Sequence, residues 1–396
     1  MANAKATVGP THPLMIAIIV GAASFSLNGA VPISDALGEE MVFSDAARSI
    51  STAFIFGYGV GHLLVGATIS PNAARLALIA GITGFVFASA GAALSTETQQ
   101  ILAFRFLQGL FISVCPVLGR LLAWRESATE ASAKTLSLAT SIFTWIPVFA
   151  PLLVVAMLQL HGWRAGYVLI GAYGLAALIV ALQIQNLPIP PNRSPRPRSL
   201  YLHKRIAGLA RTPQTVSGLI SVAAAFSGFF LFLASPSVHL VLRGIDPGLA
   251  TAIATSVIAG AFAIGGLLSR LLLQFWSSEQ VLVRTSFFLM ITAFLWSLTI
   301  GLGVHGLEAI GLAVLYCCLA GTIIPNATIR VLSSNHAEPV LSLSIIGGAK
   351  MLVAAMTGAL AIQFQLGQDL LFGGTILGLA VLTWAPNIIA GKANGP

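Results

Sequence analysis

The chain has 396 residues, of which 57% are hydrophobic and only 8% charged, with a formal net charge of +8. An ordinary soluble domain carries about 25% charged residues, so this composition excludes a water-facing globular surface and points to an integral membrane protein. In a bilayer the basic balance reads as a charge bias of the loops, with no nucleic-acid partner implied.

A hydrocarbon core about 30 Å thick is crossed by ~20 helical residues. The apolar runs predict spans at about 13–33, 47–67, 72–94, 98–123, 132–158 and 163–186. A Pro-, Arg- and Lys-rich connector follows, NLPIPPNRSPRPRSLYLHKRIAGLARTP, which is a hydrophilic link and not a span. Six more spans are predicted at about 214–238, 247–274, 281–302, 305–330, 340–364 and 369–389. The expected architecture is all-α: an N-terminal six-helix bundle (1–186), a cytoplasmic linker (187–213) and a C-terminal six-helix bundle (214–396). The first apolar run is already span-length and little chain precedes it, so no cleavable leader is expected. Cys115, Cys317 and Cys318 lie inside apolar runs and read as small core residues.

Charge orients the spans. With the amino terminus inside, the cytoplasmic segments hold Lys5, Arg75, Arg120, Arg125, Lys134, the connector's basic residues, Arg270, Arg284, Arg330 and Lys392, against Arg48, Arg164 and Arg243 opposite. This places both termini in the cytoplasm. The acids fall at loops: Asp35, Glu39, Glu40, Asp45, Glu97, Asp246, Glu308 and Asp369 on the outer side, and Glu126, Glu130, Glu279 and Glu338 on the inner. No carboxylate is left for the middle of a span, whereas two cations are, Arg105 and Lys350. A charged residue at a bilayer centre costs ~2.5–3.5 kcal/mol on insertion scales, so each needs a partner or a polar cavity.

The halves resemble each other. GHLLVG at 61–66 has the character of GGLLSR at 265–270, and the order Gly109, Pro116, Arg120 returns as Gly321, Pro325, Arg330. Two matching halves predict a parallel repeat with a site near the midplane between them.

The run FRFLQGLFISVCPVLGRLLA at 104–123, WIPVFAPLLVV at 145–155, HGWRAGYVLIG at 161–171 and IIPNA at 323–327 together resemble the major facilitator superfamily. The likeness is narrower still to its twelve-span drug:proton antiporter branch, which includes bicyclomycin and chloramphenicol resistance exporters. The resemblance implies the major facilitator fold of two pseudo-symmetric bundles, alternating access, and gating roles for Gly61, Arg75 and Arg120. Two departures stand out. The loop after the second span keeps its glycines and Arg75 but lacks the branch's usual acid. In the first span Asn28 stands where the branch often carries a proton-coupling acid.

Arg105 is either bonded to neighbouring backbone or faces an anionic ligand. Lys350 either snorkels to the surface or adds a second cation from the other half, so that the two clamp an anion. Gln108, Asn28 and Asn326 supply neutral hydrogen bonds, to the substrate or between helices. Tyr58, Trp145, Phe226 and Phe230 suit an aromatic wall or plain packing, and His62 is a candidate proton carrier. With no nucleotide-binding loop or metal cluster in the pattern, neither cofactor nor enzymatic chemistry is expected.

The expected function is secondary transport of an anionic or zwitterionic small molecule, such as a carboxylate metabolite or siderophore-like compound. Protons or a counter-anion would be exchanged, by a monomer in the bacterial inner membrane. The alternative is proton-coupled efflux of neutral or cationic lipophilic drugs.

Overall fold

A peptide group in hydrocarbon has no water to bond with, so a chain this apolar crosses as helices that satisfy their own backbone. The computed structural model describes residues 13–40, 44–69, 73–119, 130–184, 208, 212–234, 247–304, 306–334, 339–363 and 369–392. In chain order the helices are α1 (Pro13–Glu40), α2 (Ser44–Thr68), α3 (Ala74–Leu94), α4 (Thr98–Ile112), α5 (Glu130–His161), α6 (Trp163–Gln183), α7 (Pro213–Ala234), α8 (Pro247–Leu272), α9 (Ser278–Gly301), α10 (Leu307–Ser333), α11 (Pro339–Gln363) and α12 (Asp369–Lys392). Among the described residues, twelve helices are long and apolar enough to cross a membrane. An even number of crossings puts the start of α1 and the end of α12 on one face, called below the terminal face.

The predicted spans are recovered with shifted ends. α1 continues to Glu40, past the expected end near residue 33. The fourth span is not one helix: α4 stops at Ile112, Ser113 forms a turn, and helix resumes for 114–119. Pro116 lies one turn beyond the break, where its missing N–H and ring would oppose an unbroken helix. Prolines also sit inside α1 (Pro32), α5 (Pro147, Pro151), α10 (Pro325) and α12 (Pro386), and neighbouring helices make such residues tolerable in membranes. Between α5 and α6 the chain reverses at Gly162, whose φ of 73° explains the glycine of the HGW turn. Arg120 and most of the 187–213 connector lie outside the described residues.

Helix pairing repeats between halves. In the first half α2 packs on α4, α1 on α5 and α6, and α3 on α4 and α6. Six helices on, α8 packs on α10, α7 on α11 and α12, and α9 on α10 and α12. Across the halves α2 meets α11 and α5 meets α8, a pair of contacts that the same repeat exchanges, and α1 also touches α8.

A glycine clasp gives the register of this repeat. A Cβ on Gly109 would fall on the Phe54 carbonyl, and one on Gly57 would fall on the Phe106 carbonyl, so α2 and α4 touch backbone to backbone. In the second half Gly321 sits on the Phe262 carbonyl and Gly265 on that of Cys318. Each glycine rests on the carbonyl three residues before its partner glycine, in both halves. Small residues allow this approach, and packing contacts that follow from it hold membrane helices together. The clasp keeps the expected match of Gly109 with Gly321. It corrects the other one: Gly57, not Gly61, corresponds to Gly265, so the two loop-like strings are matched one helical turn out of register.

Candidate functional site

Arg105 lies about two turns into α4, on the face that also buries Ile101, Gln108, Gly109 and Ile112. It is fully buried. Its Nη1 donates to Ser26 Oγ on α1 at 3.0 Å and to Gln108 Oε1 at 2.7 Å. Gln108 Nε2 in turn donates to Ser89 Oγ on α3 at 2.8 Å, and that hydroxyl donates to the Phe85 carbonyl. The guanidinium carbon stands 4.4 Å from the centre of the Phe54 ring of α2. Four helices therefore meet at one cation, and Tyr167 of α6 is close enough to interact with it electrostatically.

The arrangement is incomplete on one side. Arg105 Nε and Nη2 have no hydrogen-bond partner among the described residues, and neither do the Tyr167 hydroxyl and Asn28 Oδ1. Asn28 spends its amide hydrogen on the Ser24 carbonyl of its own helix. A buried donor left unpaired costs ~1–3 kcal/mol. The Nε–Nη2 edge of a guanidinium is one that grips a carboxylate by two parallel bonds. The carboxylates whose side chains are described, Glu97, Glu279 and Glu308, all sit at helix starts, far from mid-span.

Lys350 is partly buried on α11, with Nζ 5.0 Å from the centre of the Phe226 ring on α7. Phe226 leans on Phe229, which packs 4.4 Å from Phe262 of α8. Each cation thus has its own aromatic seat: Arg105 inside the first bundle and Lys350 on the helix that meets α2 across the halves. Phe230 is buried and lies near the end of this seam away from the terminal face, where a Cβ on Gly358 would touch it and Thr52.

Tyr58 and His62 occupy the α2 side of that seam. Both are buried. The His62 ring stands edge-on to Tyr58, with centroids 4.4 Å apart and planes at 86°. Gly61 faces the other way, onto Ser113 and the Leu110 carbonyl of α4, so it serves helix approach. Arg75 donates through Nε to the Ile184 carbonyl at 2.7 Å and through Nη2 to that of Leu182. It satisfies the open end of α6 within its own bundle. Asn326 is committed to helix ties: its amide donates to Ser269 Oγ and the Thr322 carbonyl, and its Oδ1 accepts from Ser278. Trp145 is 44% exposed in one stripe with Phe149 and Leu153, all apolar neighbours that suit acyl chains.

The sequence reading missed the largest polar network described in the second half. Arg330 of α10 pairs with Glu279 at the start of α9 by two parallel bonds, the Nε one 2.9 Å long. Its Nη1 also donates to Ser217 Oγ on α7 at 3.0 Å and to Asn387 Oδ1 on α12. Asn387 extends the network to Ser221 and Ser286. One guanidinium holds four helices at the terminal face. The available signal was Asn387, a strongly polar residue inside an otherwise apolar span.

Comparison with known proteins sets this geometry in context. The family described as Major Facilitator Superfamily matches residues 14–361. Multidrug resistance protein MdtL of Escherichia coli is 28% identical over 149 residues, which is 37% of this chain. The MdtL of Escherichia fergusonii matches to the same extent. The chain spans 38% of the length of these curated relatives. Among solved structures, a D-xylose–proton symporter aligns with a TM-score of 0.66 at 14% identity, covering 94% of this chain and 97% of that one. The proton:xylose symporter XylE bound to 6-bromo-6-deoxy-D-glucose reaches 0.71 at 12% identity, covering 96% and 95%. At such identities the likeness is one of fold.

Proposed function

The chain belongs to the major facilitator superfamily, and from that premise we propose that this transporter carries an anionic or zwitterionic small molecule, such as a carboxylate metabolite or a siderophore-like compound. The observation that carries the reading is the unpartnered Nε–Nη2 edge of the buried Arg105. A ligand carboxylate supplies the two acceptors this edge lacks, and with Asn28 in place of an acid, no carboxylate among the described residues lies in mid-span to compete for it. Lys350 on the other half is the second contact. A ligand that touches both halves differs in affinity between the inward-open and outward-open states, and so biases their equilibrium. In the closed cluster Ser26 and Phe54 cover Arg105; ligand access requires α1 and α2 to part there. Tyr58 and Phe226 then wall the path, and Gln108 orients the guanidinium.

The protein is placed in this reading as a monomer in the bacterial inner membrane, with both termini cytoplasmic. The driving ion is the proton or a counter-anion. The test is calorimetry on monodisperse protein against citrate, benzoate and a hydroxamate siderophore beside lipophilic cations. Micromolar binding of an anion that Arg105→Ala weakens by one to two decades supports it. The MdtL likeness favours a second reading, efflux of neutral or cationic drugs; binding of the lipophilic cations alone selects it.

A further inference from the structure

The hydrogen bonds around Arg105 all run one way. Nη1 donates to Ser26 Oγ and Gln108 Oε1, Gln108 Nε2 donates to Ser89 Oγ, and Ser89 donates to the Phe85 carbonyl. Each oxygen of this chain already accepts from within it, and the chain ends on backbone. Left without a hydrogen-bond partner among the described residues are two donors, Arg105 Nε and Nη2, and the Tyr167 hydroxyl. Tyr167 belongs to the same cluster by packing. It is fully buried, on the face of α6 that also buries Trp163, Gly166, Ile170 and Gly174. One turn on, a Cβ at Gly171 would stand 3.2 Å from the Ser89 side chain, and one at Gly174 would meet Phe85. Toward α1, a Cβ at Gly166 would meet Ile33, which shares a helix face with Ser26 two turns away. The Tyr167 face of α6 therefore packs against both arms of the network, Ser89 on α3 and Ser26 on α1. The Trp163 ring stands edge-on to the phenol, with centroids 6.1 Å apart and planes at 90°, and limits how that ring turns.

We propose that the Tyr167 hydroxyl is the third donor to the substrate, and that a seat of three donors selects an ionised carboxylate over a neutral amide or hydroxamic acid with the same body. The inference rests on the anion reading of Arg105 and narrows it. A carboxylate has two oxygens with about four lone-pair sites between them. Two of these take the parallel bonds of the guanidinium edge and a third takes the phenol, and the carboxylate has no hydrogen of its own to satisfy. An amide sets an N–H group against one of the donors. A neutral hydroxamic acid likewise brings hydrogens where the seat needs acceptors. Either leaves a buried donor unpaired, which is how a site built from hydrogen-bonding groups rejects a near-isostere. The donors come from α4 and α6, both packed on α3. The seat thus keeps its shape when α1 and α2 part to admit the ligand, and a pre-organised site loses less on binding.

The experiment is calorimetry and thermal unfolding of the full chain in nanodiscs, with benzoate, benzamide and benzohydroxamic acid at pH 7, where only benzoate is ionised. Benzoate is expected to bind at least tenfold more tightly than the other two. Tyr167→Phe is expected to weaken benzoate about tenfold and to leave the neutral ligands unchanged. It is also expected to keep or raise the unfolding temperature, because the hydroxyl it removes is unpaired in the folded chain. Equal affinity of the native protein for the three ligands overturns the proposal without any variant. Unchanged benzoate binding in Tyr167→Phe overturns it as well, and so does a lowered unfolding temperature, which gives the hydroxyl a structural bond instead. Arg105→Ala, or Arg105→Met where the first does not fold, keeps the two readings apart. Absent benzoate binding, or binding that the Arg105 variant leaves unchanged, removes the anion reading and this inference with it. Binding that depends on Arg105 and ignores Tyr167→Phe removes Tyr167 alone.

Discussion

Arg105 combines full burial with an unsatisfied edge, and the two possible roles of such a residue differ in what its removal does. A buried cation that only holds the bundle together leaves Ser26 and Gln108 without their donor when it is replaced. A cation kept for a ligand is a stability burden, since an apolar residue of similar volume in place of a buried charge is often neutral or stabilising. Arg105→Met is therefore expected to leave the unfolding temperature unchanged or raise it, while anion affinity drops by one to two decades. Arg105→Lys restores the charge without the fork and recovers only part of the affinity. Thermal unfolding and calorimetry on the same preparation read both effects, and a lowered unfolding temperature with unchanged affinity returns Arg105 to a structural role. The position of Arg105 in a span was legible from its run. Its contacts were not, because Ser26 is 79 residues away in sequence and hydropathy carries no information on which spans touch.

At the level of helices, the chain uses two devices with different consequences. The glycine clasps join α2 to α4 and α8 to α10 through backbone contacts with no room for a side chain. Gly109→Val and Gly321→Val are each expected to destabilise by roughly 1–3 kcal/mol through overpacking, to a similar extent because the two sites repeat one geometry. A large effect at one and none at the other, read by thermal unfolding, counts against the shared register. The Glu279–Arg330 pair is of another kind. Glu279 is 43% exposed, so water and salt screen it, and Glu279→Gln is expected to cost only about 1 kcal/mol. That loss should shrink as salt rises, measured as unfolding temperature against ionic strength. The matching of Gly109 with Gly321 was readable from spacing. The one-turn slip at Gly61 arose because glycines recur on α2 every few residues, and the carbonyl each one meets is decided only by the partner helix.

For the whole molecule, the helix pairing of the first half returns in the second, and the halves meet along the α2–α11 and α5–α8 seams; the proposed transport cycle would have the two halves part and close there. Orientation is expected from the Lys and Arg distribution, and Ser194→Cys in intact cells should resist an impermeant thiol reagent applied from outside; rapid labelling reverses the topology. The amino-acid sequence by itself determined that the chain carries twelve runs long and apolar enough to cross a bilayer, and that Arg105 and Lys350, placed within such runs, need an explanation there. It does so because the bilayer imposes its demand locally, on each run of ~20 residues. Only the tertiary structure decided which side chains complete those residues. It set Arg105 on Phe54 and Lys350 on Phe226, turned the Nε2 edge of His62 toward Gly347, and gave Arg330 its partners on three other helices. Between spans in lipid, hydrophobicity favours no pairing over another. The choice falls to close backbone approach and to buried polar groups finding each other.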